Sequence, residues 1–275
     1  MAKLVGSFAA SHAPNIARSW DTMKDETREW LTTRYDELGK RVKALEPDVL
    51  VIHSNDHWIN FFLENMPAFL IGVGEEHDGP PEPFMQPIFK GCTFPGHPAL
   101  GSHLLEYAMD ADFDPAYSHR IKVDHGIGIP LWRMGFDTLP PVVPVFLNLM
   151  EEPFPTPKRC LAWGHMIRDA IEAYPEDLRV VVMGTGGMSH SIGETTQGWI
   201  DEPFDHACME LFKTASDEKI AFELARMLKE TGNGGAEVRS WSMEVRRLTH
   251  KGRTKYKRIS PRRIIHTIVC LLSGV

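Results

Sequence analysis

The chain has 275 residues, 43% of them hydrophobic and 24% charged, with a formal net charge of −7. That length allows one large domain or two small ones with a substantial core, and the composition is that of a soluble globular protein. The acidic balance argues against general nucleic-acid binding.

The charge is uneven. From Val245 to Val275 there are nine Lys and Arg and no Asp or Glu, which leaves 21 basic against 37 acidic residues in the first 244. The four cysteines stand far apart with no C-x-x-C pair. This is the pattern of a reducing compartment, and it offers neither a disulfide framework nor a cysteine metal site. The N-terminal "MAKLVGSFAASHAP" is too polar for a signal peptide, and "IIHTIVCLLSGV" near the end is too short to span a bilayer. The expectation is a cytoplasmic protein without a membrane partner.

In chain order, Leu4 to Ala10 reads as a short buried strand that ends at "SHAP". A helix follows, because Leu31, Tyr35, Leu38, Val42 and Leu45 recur at four- and three-residue steps. Pro47 ends it. "VLVIHS" (Val49 to Ser54) and "AFLIGV" (Ala68 to Val73) are continuous apolar runs, as expected of strands covered on both faces. Gly74 to Ala99 is rich in Pro, Gly and charge, which predicts a long functional loop. A helix is expected around Leu100 to Met109, a glycine-rich turn at "VDHGIGIP", and a strand over Val142 to Leu149. The next helix carries Trp163, Ile167, Ala170 and Tyr174 on one face. A strand over Leu178 to Gly184 and two helices, roughly Glu202 to Lys213 and Ser216 to Glu230, complete the pattern. Alternating strands and helices predict an α/β fold: a three-layer αβα sandwich around a central mixed sheet.

Most of the thirteen histidines read as ordinary. His77, His97, His103, His119, His165, His206, His250 and His266 fit solvated or capping roles, and His53 fits a satisfied core histidine. Four others fall where an α/β sheet builds its site, beyond the carboxyl ends of strands. These are His12, His57, His125 and His190, each beside glycine, proline or asparagine. Two histidines and one carboxylate on one face of an iron leave open positions, the arrangement of non-haem Fe(II) oxygenases. Among many carboxylates Glu237, in "GNGGAEVRSW", is the most suggestive. On spacing alone it reads equally as a first-turn glutamate favoured by the helix dipole.

"SHAP" at His12, "NDHW" at His57, "VDHG" at His125, "GTGGMSH" ending at His190 and "GGAEVRSW" around Glu237 resemble the catalytic subunit of class III extradiol ring-cleaving dioxygenases. The likeness is to the protocatechuate 4,5-dioxygenase β subunit and to gallate-type dioxygenases, and it runs in order over about residues 4 to 243. The resemblance implies that His12, His57 and Glu237 are ligands of Fe(II). It implies that His190 is the catalytic acid–base and that His125 is the second active-site histidine, in contact with the diol or oxygen. The expected function is extradiol cleavage of a catecholic aromatic acid by O2. The resemblance further implies a catalytic domain over 1–244 and a divergent basic segment over 245–275. It also leaves a choice between a homo-oligomer and a complex with a small α-type subunit. Two alternatives stand beside it: a non-catalytic metal-binding relative, and a zinc-dependent hydrolase, since two His and a Glu also suit zinc.

Overall fold

The computed structural model describes residues 1–244, and the basic segment over 245–275 lies outside the described residues. Eight strands occur in it: β1 (Lys3–Ser11), β2 (Val49–Asn55), β3 (Phe69–Gly72), β4 (Glu76–Asp78), β5 (Thr93–Pro95), β6 (Ala116–Ser118), β7 (Val142–Leu147) and β8 (Arg179–Gly186). Six form one mixed sheet in the order β1-β8-β2-β7-β3-β6. β1, β8, β2 and β7 are mutually parallel, and β3 runs antiparallel to β7. The expected apolar runs are therefore the central strands. Every residue of β2 and β7 is buried, as a strand covered on both faces requires.

The helices form the two outer layers. α2 (Asp25–Ala44) turns the predicted stripe Leu31, Tyr35, Leu38 and Val42 onto one face of the sheet, after a short α1 (Asn15–Arg18). α5 (His125–Met134) packs on the same face through Ile127, Ile129 and Leu131. The other face is covered by α4 (Pro98–Asp110) and α6 (Pro157–Ala173), where Trp163 stacks on Phe69 with ring centroids 4.2 Å apart. α7 (Glu202–Thr214) and α8 (Asp217–Met227) pack with Trp241 and Val238 in a third cluster. α9 (Val238–Ser242) follows a 3-10 turn, Asn233–Glu237. The expected three-layer α/β sandwich with a mixed sheet is the fold observed.

Two segments differ from expectation. "VDHGIGIP" is no turn: His125 opens α5, whose N-cap Asp124 accepts a hydrogen bond from Gly126 N. The long loop Gly74 to Ala99 carries structure of its own, a two-stranded β4–β5 ladder and a short α3 (Gln86–Phe89). His77 in β4 is not solvated, as the loop reading had it, but fully buried. Its Nδ1 accepts a hydrogen bond from Ile121 N at 3.3 Å, while Nε2 is buried without a partner among the described residues.

Burial, helped by Arg120 and opposed by Asp78, lowers the His77 pKa to about 4. The ring is thus held neutral in the folded protein but takes a proton near pH 6.5 when unfolded. Its share of stability is full above pH 6.5 and is lost as pH falls towards 4. That share amounts to at most about 3 kcal/mol. His77→Leu is expected to flatten this limb of the stability curve, read by urea unfolding at pH 7.5, 6 and 5. An unchanged slope would show that His77 does not carry it.

Candidate metal centre and active site

The sheet order brings the site together. β8 lies between β1 and β2, and all three run parallel, so their carboxyl ends meet. His12 directly follows β1, His57 stands two residues past β2, and His190 stands four past β8. The 3-10 turn that ends at Glu237 delivers the carboxylate, seated by the α9 that follows. α9 lies so close to β8 that a Cβ on Gly184 would sit 2.6 Å from the Ser240 carbonyl oxygen. Ser240 Oγ in turn donates to the carbonyls of Thr185 and Glu237. A buried network below anchors the end of this segment: Glu244 accepts from Ser7 Oγ at 2.8 Å and from His53 Nδ1 at 2.7 Å, and Trp163 Nε1 donates to His53 Nε2. His53 is the satisfied core histidine its strand position suggested.

All five singled-out residues converge. Glu237 is buried, with Oε2 3.3 Å from His12 Nε2 and 3.9 Å from His190 Nε2, and Oε1 3.7 Å from His57 Nε2. The rings of His57 and His125 are 4.0 Å apart, and that of His12 lies 4.9 and 5.5 Å from them. His12, His57 and His125 each offer a ring nitrogen within 4.8 Å of the others, close enough to hold one metal ion. The donor set fits a cation on two counts. Among the described residues, His12 Nε2 is buried with no hydrogen-bond partner, and Glu237 is a buried carboxylate facing histidines rather than Lys or Arg.

Two carboxylates that the sequence reading passed over set the ring orientations. Asp124 Oδ2 accepts from both His57 N (3.0 Å) and His57 Nδ1 (2.9 Å). Glu82 Oε1 accepts from both His125 N (2.9 Å) and His125 Nδ1 (2.8 Å). In each pair the carboxylate accepts from Nδ1 and turns Nε2 towards the cluster, where that of His57 also lies 2.9 Å from Asn55 Nδ2. Thr185 Oγ1 holds His12 Nδ1 at 3.2 Å, and the Met188 carbonyl accepts from His190 Nδ1 at 2.8 Å. The carboxylate–histidine pairing is the outer-shell device that orients metal-binding imidazoles. Asp124 was legible as the neighbour of His125 in "VDHG"; Glu82, isolated between prolines, gave no signal.

The glycine runs around His190 serve clearance. They make room for His190 itself, because a Cβ on Gly234 would lie 2.2 Å from its Nε2 and one on Gly187 would lie 2.9 Å from its Cε1. The loop carrying His57 is shaped by Asp56, whose carboxylate accepts from the backbone N–H of Ile59, Asn60 and Phe61. Trp58, next to His57, is held at φ 59°, a left-handed conformation of the kind that clusters at functional sites.

The field of the cluster favours a positive charge at its centre. Burial disfavours a charged His57, yet the Asp124 and Glu237 carboxylates outweigh it and raise its pKa to about 10. Burial and the neighbouring His57 push His125 well below the usual histidine value. Burial opposes ionisation of Glu237 too, but the His12 and His190 rings beside it hold its carboxyl well below the usual range. A site that stabilises one imidazolium between two carboxylates would equally stabilise a metal cation.

A family model described as the catalytic LigB subunit of aromatic ring-opening dioxygenase matches residues 6–260. The chain belongs to this family. Among curated relatives it is 29% identical over 185 residues to the 2,3-dihydroxyphenylpropionate/2,3-dihydroxicinnamic acid 1,2-dioxygenase of Photorhabdus laumondii, a match over 66% of this chain and 55% of that protein. It is 33% identical over 149 residues to the gallate dioxygenase of Pseudomonas putida, over 53% of this chain and 44% of that protein. The chain spans about half the length of these relatives. A solved structure of an uncharacterized protein from Escherichia coli K12 superposes with a TM-score of 0.53 at 15% identity, over 87% of this chain and 88% of that one, and shares the fold. No helix among the described residues is long and apolar enough to cross a membrane.

Asp124→Asn separates positioning from folding at this site. Asparagine keeps the N-cap acceptor of α5 but loses the charge that fixes His57. Metal affinity is expected to fall about 10- to 100-fold, read by competition with a chromophoric chelator, while circular dichroism of the metal-free variant checks that the fold is kept. Full metal affinity in this variant would remove Asp124 from the account.

Proposed function

We propose that this chain is an Fe(II)-dependent extradiol dioxygenase that opens the ring of a catecholic aromatic acid with O2. The convergence of His12, His57 and Glu237 with His125 and His190, at the ends of three parallel strands, is the observation that carries it. In this reading His12 Nε2, His57 Nε2 and a Glu237 oxygen hold the metal. Bound there, Fe(II) would supply Lewis acidity to the diol and a redox link between ring and dioxygen.

The remaining residues handle position and protons. His190 donates Nδ1–H to Met188 O, which turns Nε2 towards Glu237, and Nε2 takes a proton from a diol hydroxyl and later returns one. His125, clamped by Glu82, holds the diol or the oxygen through Nε2. Asp124 holds His57 through Nδ1, so that Nε2, 2.9 Å from Asn55 Nδ2, is the nitrogen turned towards Glu237. The names of the relatives, which include gallate and 2,3-dihydroxyphenylpropionate, support an aromatic diol with an acidic substituent as substrate.

The test is O2 uptake. Protein loaded with Fe(II) without air is given 3,4-dihydroxybenzoate, gallate or catechol, and then air. Stoichiometric O2 consumption with a yellow ring-opened product is expected; no uptake across the panel would defeat the proposal.

One observation favours a second reading. The three ring nitrogens of His12, His57 and His125 also match a three-histidine zinc site, with Glu237 free to act as a base. Zinc-dependent ester or amide hydrolysis without O2 uptake would select it.

A further inference from the structure

A catecholic acid brings a negative charge to a site already walled by the carboxylates of Glu237, Asp124 and Glu82. Its entry is unfavourable unless a cation meets the anionic substituent. Arg120, close to His125 in sequence, does not fill that role. Arg120 is turned to the surface, where its guanidinium pairs with Asp78 at 2.7 Å and Glu76 at 3.3 Å. Arg239 is buried, donates to the Ala236 carbonyl and lies over Phe154.

Arg18 is placed differently. It is the last residue of α1, the helix that starts three residues after His12. Its guanidinium lies over the ring of Phe84, 4.2 Å from the centroid, and Phe84 in turn leans on His125 with centroids 5.7 Å apart. No carboxylate pairs with Arg18 among the described residues. A guanidinium stacked on an aromatic face keeps its N–H edges free, and those edges match a carboxylate in a two-point contact.

The platform is fixed as well. The segment that presents Phe84 also carries Glu82, which is bonded twice to His125. It is tied further by Gln86 Nε2 to Pro80 O at 2.6 Å and by Gly79 N to Cys92 O at 3.0 Å. Arg18 thus hangs between the strand end that delivers His12 and the loop that clamps His125.

We infer that Arg18 is a specificity-determining residue: stacked on Phe84 beside His125, it binds the carboxylate of the aromatic diol on the side remote from the hydroxyls. This rests on the proposed dioxygenase reading. Phe84 supplies the platform and Glu82 keeps it in register with the catalytic histidines.

The test uses the full chain loaded with Fe(II) under argon and two probes of similar size, 3,4-dihydroxybenzoate and 4-methylcatechol. Binding is measured by titration calorimetry for the wild type, Arg18→Ala and Arg18→Lys. The wild type is expected to prefer the acid. In Arg18→Ala the ratio of the two dissociation constants should shift 10- to 100-fold against the acid, and Arg18→Lys should recover part of the preference. A ratio unchanged in Arg18→Ala overturns the inference, as does a wild-type protein with no preference for the acid. O2 uptake on the same samples separates the two claims. Binding that discriminates through Arg18 without any O2 consumption would defeat ring cleavage and leave the anion contact standing.

Discussion

Glu237→Gln is expected to strip the protein of tight metal binding while leaving the fold in place. Glutamine matches glutamate in shape, so the contacts that seat α9 against Gly184 and Gly186 survive. The lost charge is the one that faces His12 and His57 across 3.3 and 3.7 Å and draws Asn55 Nδ2 to 3.3 Å. The loss in affinity should exceed the ~100-fold that removal of an outer hydrogen-bond partner costs, because a ligand atom and its charge both go. Chelator competition measures the affinity, and circular dichroism of the metal-free variant checks the fold. Unchanged affinity would mean that the ion sits on His12, His57 and His125 instead.

His190→Ala should produce the opposite pattern, with metal affinity kept within a few-fold and kcat lowered about 10²- to 10⁴-fold. The ring is the innermost reach of a well-tethered loop. Asp205 accepts from Ser189 N, Ser189 Oγ accepts from Asp201 N, and Ile192 exchanges two hydrogen bonds with the Asn233 side chain. Truncation removes the imidazole without untying the loop, so added imidazole should restore part of the rate. A variant as fast as the parent would take the proton-transfer role away from His190.

Part of this architecture was legible in the residues. The central strands announced themselves because β2 opens on the apolar run Val49 to Ile52 and β7 is apolar from end to end. α2 was visible because one stripe meets the sheet and the rest meets water. α5 was not. Gly126, Gly128 and Pro130 read as turn residues, and eight of its ten residues are buried, so no polar face marked a period. Gly126 is there for clearance, since a Cβ would meet Ser54 Oγ at 2.4 Å. The short β4, β5 and β6 were hidden for a related reason: three residues are too few to show alternation.

At the site, His12, His57 and His190 were marked by their position after β1, β2 and β8, which sequence order and alternating elements reveal, whereas His125 opens α5. What orients them was not. Glu82 reaches His125 across 43 residues, and Arg18 meets Phe84 across a fold contact that no local pattern encodes. Asp124 alone of these had a local signal, because it adjoins His125 and caps the helix that His125 begins.

Anomalous diffraction from crystals of the Fe(II)-loaded protein, collected at the iron edge without air, bears most directly on the metal centre. The account predicts one ion bonded to His12 Nε2, His57 Nε2 and a Glu237 oxygen, with His125 and His190 nearby but not ligating. An ion on His12, His57 and His125 with Glu237 turned away, or no ordered ion in this cluster, would contradict it.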